Sequence, residues 1–235
     1  MTPVPGAPAA APLYAKMPMM AAYDWTGIYV GGHGSFDWAK TDITTTNTAT
    51  GVVEGSASTS RSSAHGGGQI GFDYMMLTRV VIGFAADIST GDDITTTFSN
   101  AAGTNVHAEE SKTVGSGSVR GRLGYAFANV LVYGTGGWAW TSGTAIRSQL
   151  VGKTGAATPG IIEQAPANLN GWVAGAGLAY GFWHNWEVFG EYRYTSYQAI
   201  SIPFPVAART TTFATSGSSV IAGLNFKFDP FVTRY

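Results

Sequence analysis

The chain has 235 residues, 45% of them hydrophobic, yet only 11% are charged, where a soluble domain carries roughly a quarter. With 32 Gly, 10 Pro, no Cys and a net charge of -1, the composition excludes disulfide scaffolds, thiol chemistry and Cys-based zinc sites. It also lacks the basic footprint of a nucleic-acid partner. Residues 1–23 are Pro- and Ala-rich, with one charge at Lys16, and read as a flexible leader. Pro3, Pro5, Pro8 and Pro12 interrupt any signal-peptide apolar run, so an export signal is expected to have been removed already.

From Trp25 onward the hydrophobic period is two, the mark of strands whose faces meet different surroundings. Ile28 to Phe36 is the first such stretch, followed by Gln69 to Tyr74, where Ile70, Phe72 and Tyr74 oppose Gln69 and Asp73. Val80 to Ile88 comes next. In Val119 to Phe127, Val119, Gly121, Leu123, Tyr125 and Phe127 oppose Arg120, Arg122 and Gly124. Leu131 to Trp140 follows, then the uncharged Asn168 to Phe182. The small-xxx-small spacings of that last stretch suit packed transmembrane helices, but its large and small residues alternate as in a strand. Trp186 to Thr195 sets Trp186, Val188, Gly190, Tyr192 and Tyr194 against Glu187, Phe189, Glu191, Arg193 and Thr195. In Val220 to Phe228, Val220, Ala222, Leu224, Phe226 and Phe228 oppose Ile221, Gly223, Asn225 and Lys227.

The links alternate in size. Met75–Thr78, Ala128–Asn129 and Trp183–Asn185 are tight, whereas 41–60, 91–108, 145–167 and 199–214 are long and rich in Thr, Ser, Gly and Ala. Four long and three short links join eight strands, with both termini on the short-turn side. That pattern predicts an all-β fold: an eight-stranded antiparallel up-and-down transmembrane β-barrel with periplasmic turns and surface loops. The domain reading is a periplasmic leader 1–23, a barrel 24–228 and a tail 229–235.

The two faces then acquire different jobs. Trp25, Phe127, Phe182, Trp183, Trp186 and Phe228 lie near the predicted periplasmic ends and form an expected lipid-interface girdle. The opposite face carries the charges: Asp73, Asp87, Arg120, Arg122, Glu191 and Arg193 form a lumen network, and Glu187 with Lys227 is expected to pair lower down. Eight strands enclose a lumen that side chains fill, so these residues plug it.

Catalytic signals are sparse. His33, His65, His107 and His184 show no metal-ligand spacing; His33 or His65 with Ser35 or Ser63 and Asp37 is a weak surface-hydrolase pattern. Gly66-Gly67-Gly68 and Gly115-x-Gly117 precede no helix that would present its N-terminus to a phosphate. The chain is therefore read as non-enzymatic, with no cofactor and no metal.

Trp25-Thr-Gly-Ile-Tyr-Val-Gly-Gly32, Val119-Arg-Gly-Arg-Leu-Gly-Tyr125, Val132-Tyr-Gly-Thr-Gly-Gly137, Trp172-Val-Ala-Gly-Ala-Gly177, Glu191-Tyr-Arg-Tyr194 and Val220-Ile-Ala-Gly-Leu-Asn-Phe-Lys-Phe228 occur in that order. Together they resemble the small outer-membrane β-barrel proteins of alphaproteobacteria, the outer-membrane immunogenic or porin-like proteins with an OmpA-like transmembrane barrel. The resemblance spans about residues 23–228. It implies residence in the outer membrane of a Gram-negative bacterium, insertion by the β-barrel assembly machinery, and a structural, surface-antigen or weak porin role. Implied partners are outer-membrane lipid and lipopolysaccharide, with self-association or other envelope proteins left open. Family members end in an aromatic assembly signal, for which Phe228 and Tyr235 both qualify. Some relatives bind haem compounds, but no axial-ligand pattern supports that here. A narrow diffusion channel is the alternative function; a lipid-modifying hydrolase and a soluble lipocalin-like barrel are the remaining ones.

Overall fold

In the computed structural model, residues 23–90, 93–98, 105–151, 157–166, 168–183, 185–204 and 208–228 are described. Residues 1–22 of the leader 1–23, the tail 229–235 with its candidate signal Tyr235, and His184 lie outside them; the last leader residue, Tyr23, is described and is buried. The strands are β1 (Gly27–Asn47), β2 (Val53–Met75), β3 (Val80–Thr90), β4 (Asp93–Phe98), β5 (Asn105–Phe127), β6 (Val130–Val151), β7 (Ala157–Pro166), β8 (Leu169–Trp183), β9 (Trp186–Tyr197), β10 (Ile200–Phe204) and β11 (Arg209–Phe228). Eight of them close a ring, β1-β2-β3-β5-β6-β8-β9-β11 and back to β1, each antiparallel to its neighbours. Closure leaves no lipid-facing backbone edge unpaired within the ring, which is the condition for a sheet to cross a bilayer.

The register fixes the geometry. Starting at Tyr29 and passing from partner to partner through Gly71, Ala85, Arg120, Gly137, Val173, Thr195 and Gly217, the path returns to β1 at Ala39, ten residues from where it began. Eight strands with that stagger tilt at about 42° and close at a backbone radius of about 8 Å. An interior of that size holds side chains and no helix. Ala128, at φ 53°, is the first residue of the two-residue hairpin joining Phe127 to Val130, a position that requires positive φ.

The long links differ from expectation. Most of 41–60, 145–167 and 199–214 is strand, as is the described part of 91–108. Thr, Ser and Ala support extended backbone as long as each strand has a neighbour, so the chain keeps pairing beyond the membrane. β4 continues β3 along β5 without a register change, and β7 precedes β8 along β6 in the same way. β10 continues β9 along β11 with one extra residue. Among the described residues, β2 before Gly67 pairs only with β1, and neither β2 with β4 nor β7 with β10 is paired. The wall therefore divides above the barrel into two sheets, β10-β11-β1-β2 and β4-β5-β6-β7.

Candidate functional site: the barrel interior

Alternation decides which side chains enter the lumen. On β11, Ile221, Asn225 and Lys227 are buried while Val220, Leu224 and Phe228 are exposed; on β9, Glu187, Phe189, Glu191 and Arg193 are buried while Trp186, Val188, Tyr192 and Tyr194 are exposed. Exposed here means lipid-facing, so the apolar residues lie outside and the charges inside. Asp73, Asp87, Arg120, Arg122, Glu187, Glu191, Arg193 and Lys227 are all buried. They comprise four carboxylates and four cations, so the interior is electrically balanced, as burial of charge demands.

They are arranged in tiers. In the upper tier Arg120 spans the lumen from β5. Its Nη2 donates to Asp87 Oδ1 of β3 at 2.7 Å, its Nη1 to Glu191 Oε1 of β9 at 2.7 Å and its Nε to Ser118 Oγ at 2.8 Å. Arg193 donates to the same two carboxylates, reaching Asp87 Oδ1 at 3.1 Å. Ser118 Oγ donates to Asp87 at 2.6 Å, and Tyr133 and Thr135 of β6 donate to Glu191. Four strands, β3, β5, β6 and β9, are thus tied together across the lumen.

Below this, Arg122 donates to Asp73 Oδ2 at 2.8 Å, with its guanidinium 3.7 Å from the centroid of the Tyr133 ring. Gln69 Nε2 donates to Asn225 Oδ1 at 2.7 Å, and Asn225 Nδ2 donates on to Glu187.

Two expectations need correction at the periplasmic end. Glu187 and Lys227 do not form an ion pair: Asn225 takes the carboxylate, and Lys227 Nζ donates to the Trp25 carbonyl at 2.7 Å. Lys227 Nζ also lies 5.2 Å from the ring centroids of both Tyr23 and Trp25. Trp25 is therefore not part of the girdle. It is fully buried inside the barrel mouth, where Tyr23, Val81, Ala126, Leu131, Tyr133, Ala179, Phe189 and Ile221 join it in one apolar cluster. The physical reason is that Trp25 shares the parity of inward-facing Gly27, Tyr29 and His33, whereas Ile28, Val30, Phe36 and Trp38 face out, so its nearness to the strand end does not carry it to the lipid face. Its indole gains a cation and a carbonyl partner by turning inward, with Nε1 donating to Ala128 O at 3.4 Å.

Phe127, Phe182, Trp183, Trp186 and Phe228 do lie on the outer face near the short turns. A second aromatic ring escaped the sequence reading: Trp38, Trp138, Trp172 and Tyr194 on the outer face, with Trp140 stacked on Trp138 at 5.0 Å. The signal was present in the parity of β6 and β8, but these residues sat beside stretches assigned to loops. Ile28 and Trp38 on β1, like Trp172 and Phe182 on β8, are ten residues apart. At about 3.3 Å per residue and 42° tilt this is a rise of about 25 Å, the height of an outer-membrane apolar band.

Above the upper tier lies a cavity of about 220 Å³ lined by Ser35, Asp37, His65, Asp87, Ser89, Arg193 and Tyr197 among others. Ser35 Oγ donates to Asp37 at 2.8 Å, Ser63 Oγ is 2.9 Å from His65 Nε2, and that same nitrogen is 3.7 Å from Asp37 Oδ2. His33 Nε2 instead meets Ser89 Oγ at 3.1 Å. A serine triad needs the hydroxyl on one ring nitrogen and the acid on the other. Here hydroxyl and carboxylate compete for one nitrogen, so no triad is assembled. Among the described residues no group of three or more His, Cys, Asp or Glu could hold a metal ion.

A family profile described as "Outer membrane protein beta-barrel domain" matches residues 7–228. The 31 kDa outer-membrane immunogenic protein of Brucella melitensis biotype 1 is 29% identical over 231 residues, covering 95% of this chain and 89% of the relative. The 22 kDa outer membrane protein of Rhizobium leguminosarum bv. viciae is 26% identical over 216 residues, covering 91% and 82%. Among solved structures, Pseudomonas aeruginosa OprG aligns with a TM-score of 0.50 at 12% identity, covering 88% of this chain and 98% of that one. The outer membrane protease OmpT of Escherichia coli aligns with a TM-score of 0.50 at 10% identity, covering 86% and 97%. At these identities the two structures share the fold and carry no activity across.

Proposed function

The chain belongs to the outer membrane protein beta-barrel domain family, and from that premise we propose that it is a closed, non-enzymatic scaffold. In this reading it displays two β-sheets at the cell surface and contributes to envelope integrity. The observation that carries the proposal is the stacking of a neutral ion-pair tier on an apolar cluster: Arg120 is held by Asp87, Glu191 and Ser118, and the periplasmic mouth below is filled by Trp25, Leu131 and Val81. A solute would have to break charge-assisted hydrogen bonds and then displace an indole. The name of the Brucella relatives, an outer-membrane immunogenic protein, supports surface display by the sheets. Partners in this reading are outer-membrane lipid and lipopolysaccharide, with the β-barrel assembly machinery acting during insertion.

A narrow diffusion channel is the second reading, favoured by one observation: a cavity with many Ser and Thr hydroxyls on its walls rests directly on Arg193 and Asp87. Liposome swelling in arabinose separates the two. Vesicles bearing the purified protein should swell no faster than protein-free vesicles; swelling at a porin-like rate would establish the channel.

A further inference from the structure

On the outer face, at the level of the upper aromatic ring, lies a cleft of about 440 Å³ lined by Trp38, Lys40, Ser60, Ser62, Tyr194, Ser216 and Ser218, with Ala39, Arg61 and Gly217 between them. The register places these side chains in two rows. Trp38 stands between Ser62 and Ser218, with Tyr194 beyond Ser218; Lys40, two residues further from the membrane, stands between Ser60 and Ser216. Trp38 thus stands over a hydroxyl on either side, Ser62 toward β2 and Ser218 toward β11, with Tyr194 beyond the latter, and an ammonium lies one row above. Lys40 is exposed, and its ion pair to Asp42 at 3.6 Å, the one it makes among the described residues, is equally exposed and so worth little.

The floor changes character toward the bilayer. Along β2 the outward positions run Ser58, Ser60, Ser62, Ala64, Gly66, Gly68 before Ile70 closes the lane. A second cavity, of about 570 Å³, lies alongside it over Gly32, Gly34 and Ala222. The glycines here are not imposed by crowding. A Cβ at Gly32, Gly34, Gly66 or Gly68 would meet nothing closer than 3.6 Å, whereas one at inward Gly31, Gly71 or Gly83 would strike a neighbour within 2.4 Å. The outward glycines leave open space, and hydroxyls occur only where headgroups lie. Phe36 and Trp38, packed edge to face at 4.9 Å, form the wall of the lane.

We propose that this cleft binds a phosphorylated glycolipid of the outer leaflet, lipid A in chemistry. Its sugar rests against Trp38 over Ser62, its phosphate lies on Lys40, and one acyl chain runs along Ala64, Gly66 and Gly68 on the same side of Trp38. The matching of polarity with depth distinguishes this occupant from a soluble sugar phosphate, which has nothing to place over the glycines. It also distinguishes it from an ordinary phospholipid, which has no ring to stack. The site is independent of whether the lumen conducts.

The test is native mass spectrometry of the full chain released from detergent micelles, titrated with diphosphoryl lipid A, dephosphorylated lipid A or phosphatidylglycerol. The folded state of each variant is checked by its gel shift without boiling. The wild type should retain one diphosphoryl lipid A and bind the dephosphorylated form and phosphatidylglycerol more weakly. Lys40→Gln, an exposed change that leaves the fold intact, should weaken diphosphoryl lipid A about fivefold, the contribution of one cation at a membrane surface. Ser62→Phe should abolish retention by filling the cleft, while Val119→Phe, exposed on β5 across the ring from β1 and β11, should leave it unchanged. Equal retention by wild type, Lys40→Gln and Ser62→Phe would overturn the site. Phosphatidylglycerol held as tightly as lipid A, or full displacement by an equal concentration of the free disaccharide bisphosphate, would overturn the ligand class.

Discussion

Replacing Arg120 with methionine keeps most of the side-chain volume and removes the charge that spans the lumen. The guanidinium makes three hydrogen bonds, two of them to carboxylates at 2.7 Å, in a side chain that is 1% exposed. Breaking one partner out of a buried ion cluster costs about 3–5 kcal/mol, because it leaves uncompensated charge in a desolvated site. Arg193 still donates to both Asp87 and Glu191, which places the expected loss at the lower end, about 3 kcal/mol or roughly a hundredfold in the folding equilibrium. Adding Glu191→Gln restores neutrality while Tyr133, Thr135 and Arg193 keep a partner at that position. The double variant should therefore lie at least about 1.5 kcal/mol above the sum of the two single losses. Reversible urea unfolding in phospholipid vesicles, followed by tryptophan fluorescence, measures all four corners of this cycle. A single-variant loss below about 1 kcal/mol, or strictly additive losses, would refute the view that the tier acts as one neutral unit.

The remaining predictions concern the two faces and the mouth. Trp25→Ala should cost about 3–5 kcal/mol by opening a cavity in the interior cluster, whereas Trp183→Ala, on the lipid face and 68% exposed, should cost far less in the same unfolding assay. Retaining one tryptophan at a time, brominated lipids should quench Trp183 or Trp186 and leave Trp25 bright; strong quenching of Trp25 would return it to the girdle. Gly137→Ala should destabilise, since its Cβ would lie 2.1 Å from Val119 O and 2.7 Å from Arg120 Cα. By contrast Gly121→Ala, whose Cβ meets nothing nearer than 3.8 Å, should be neutral or stabilising by up to about 1 kcal/mol. Leu123→Arg, on the lipid face of β5, should cost about 2–4 kcal/mol if the residue lies near the bilayer midplane, read from its urea midpoint; no loss would place that face in water.

The fold was legible because alternation is a direct consequence of a sheet lying between two solvents. Wherever a stretch such as Val220 to Phe228 keeps strict parity, sequence and structure agree residue by residue. The upper halves of the strands were not legible, because runs such as Thr44-Thr45-Thr46 and Ser56 to Ser63 are polar on both faces and carry no period. Their extended form comes from the pairing of β1 with β2 and β11, which no local pattern records. The charged interior was visible as residue types on one face, but the partners were set by stagger around the ring. That stagger brings Asp73 to Arg122 and leaves Lys227 nearest the Trp25 carbonyl. Trp25 itself was misplaced because it was assigned by its depth near the strand ends, while the parity of Gly27 and Tyr29 puts it inside.

These points converge on a lumen sealed twice, by ion pairs above and by the Tyr23–Trp25 segment below. Single-channel recording in planar bilayers at 1 M KCl tests this most directly. The wild-type protein should insert without steady conductance, and Trp25→Ala combined with Arg120→Met should give openings that the wild type lacks. Stable, reproducible conductance steps from the wild-type protein alone would contradict the account.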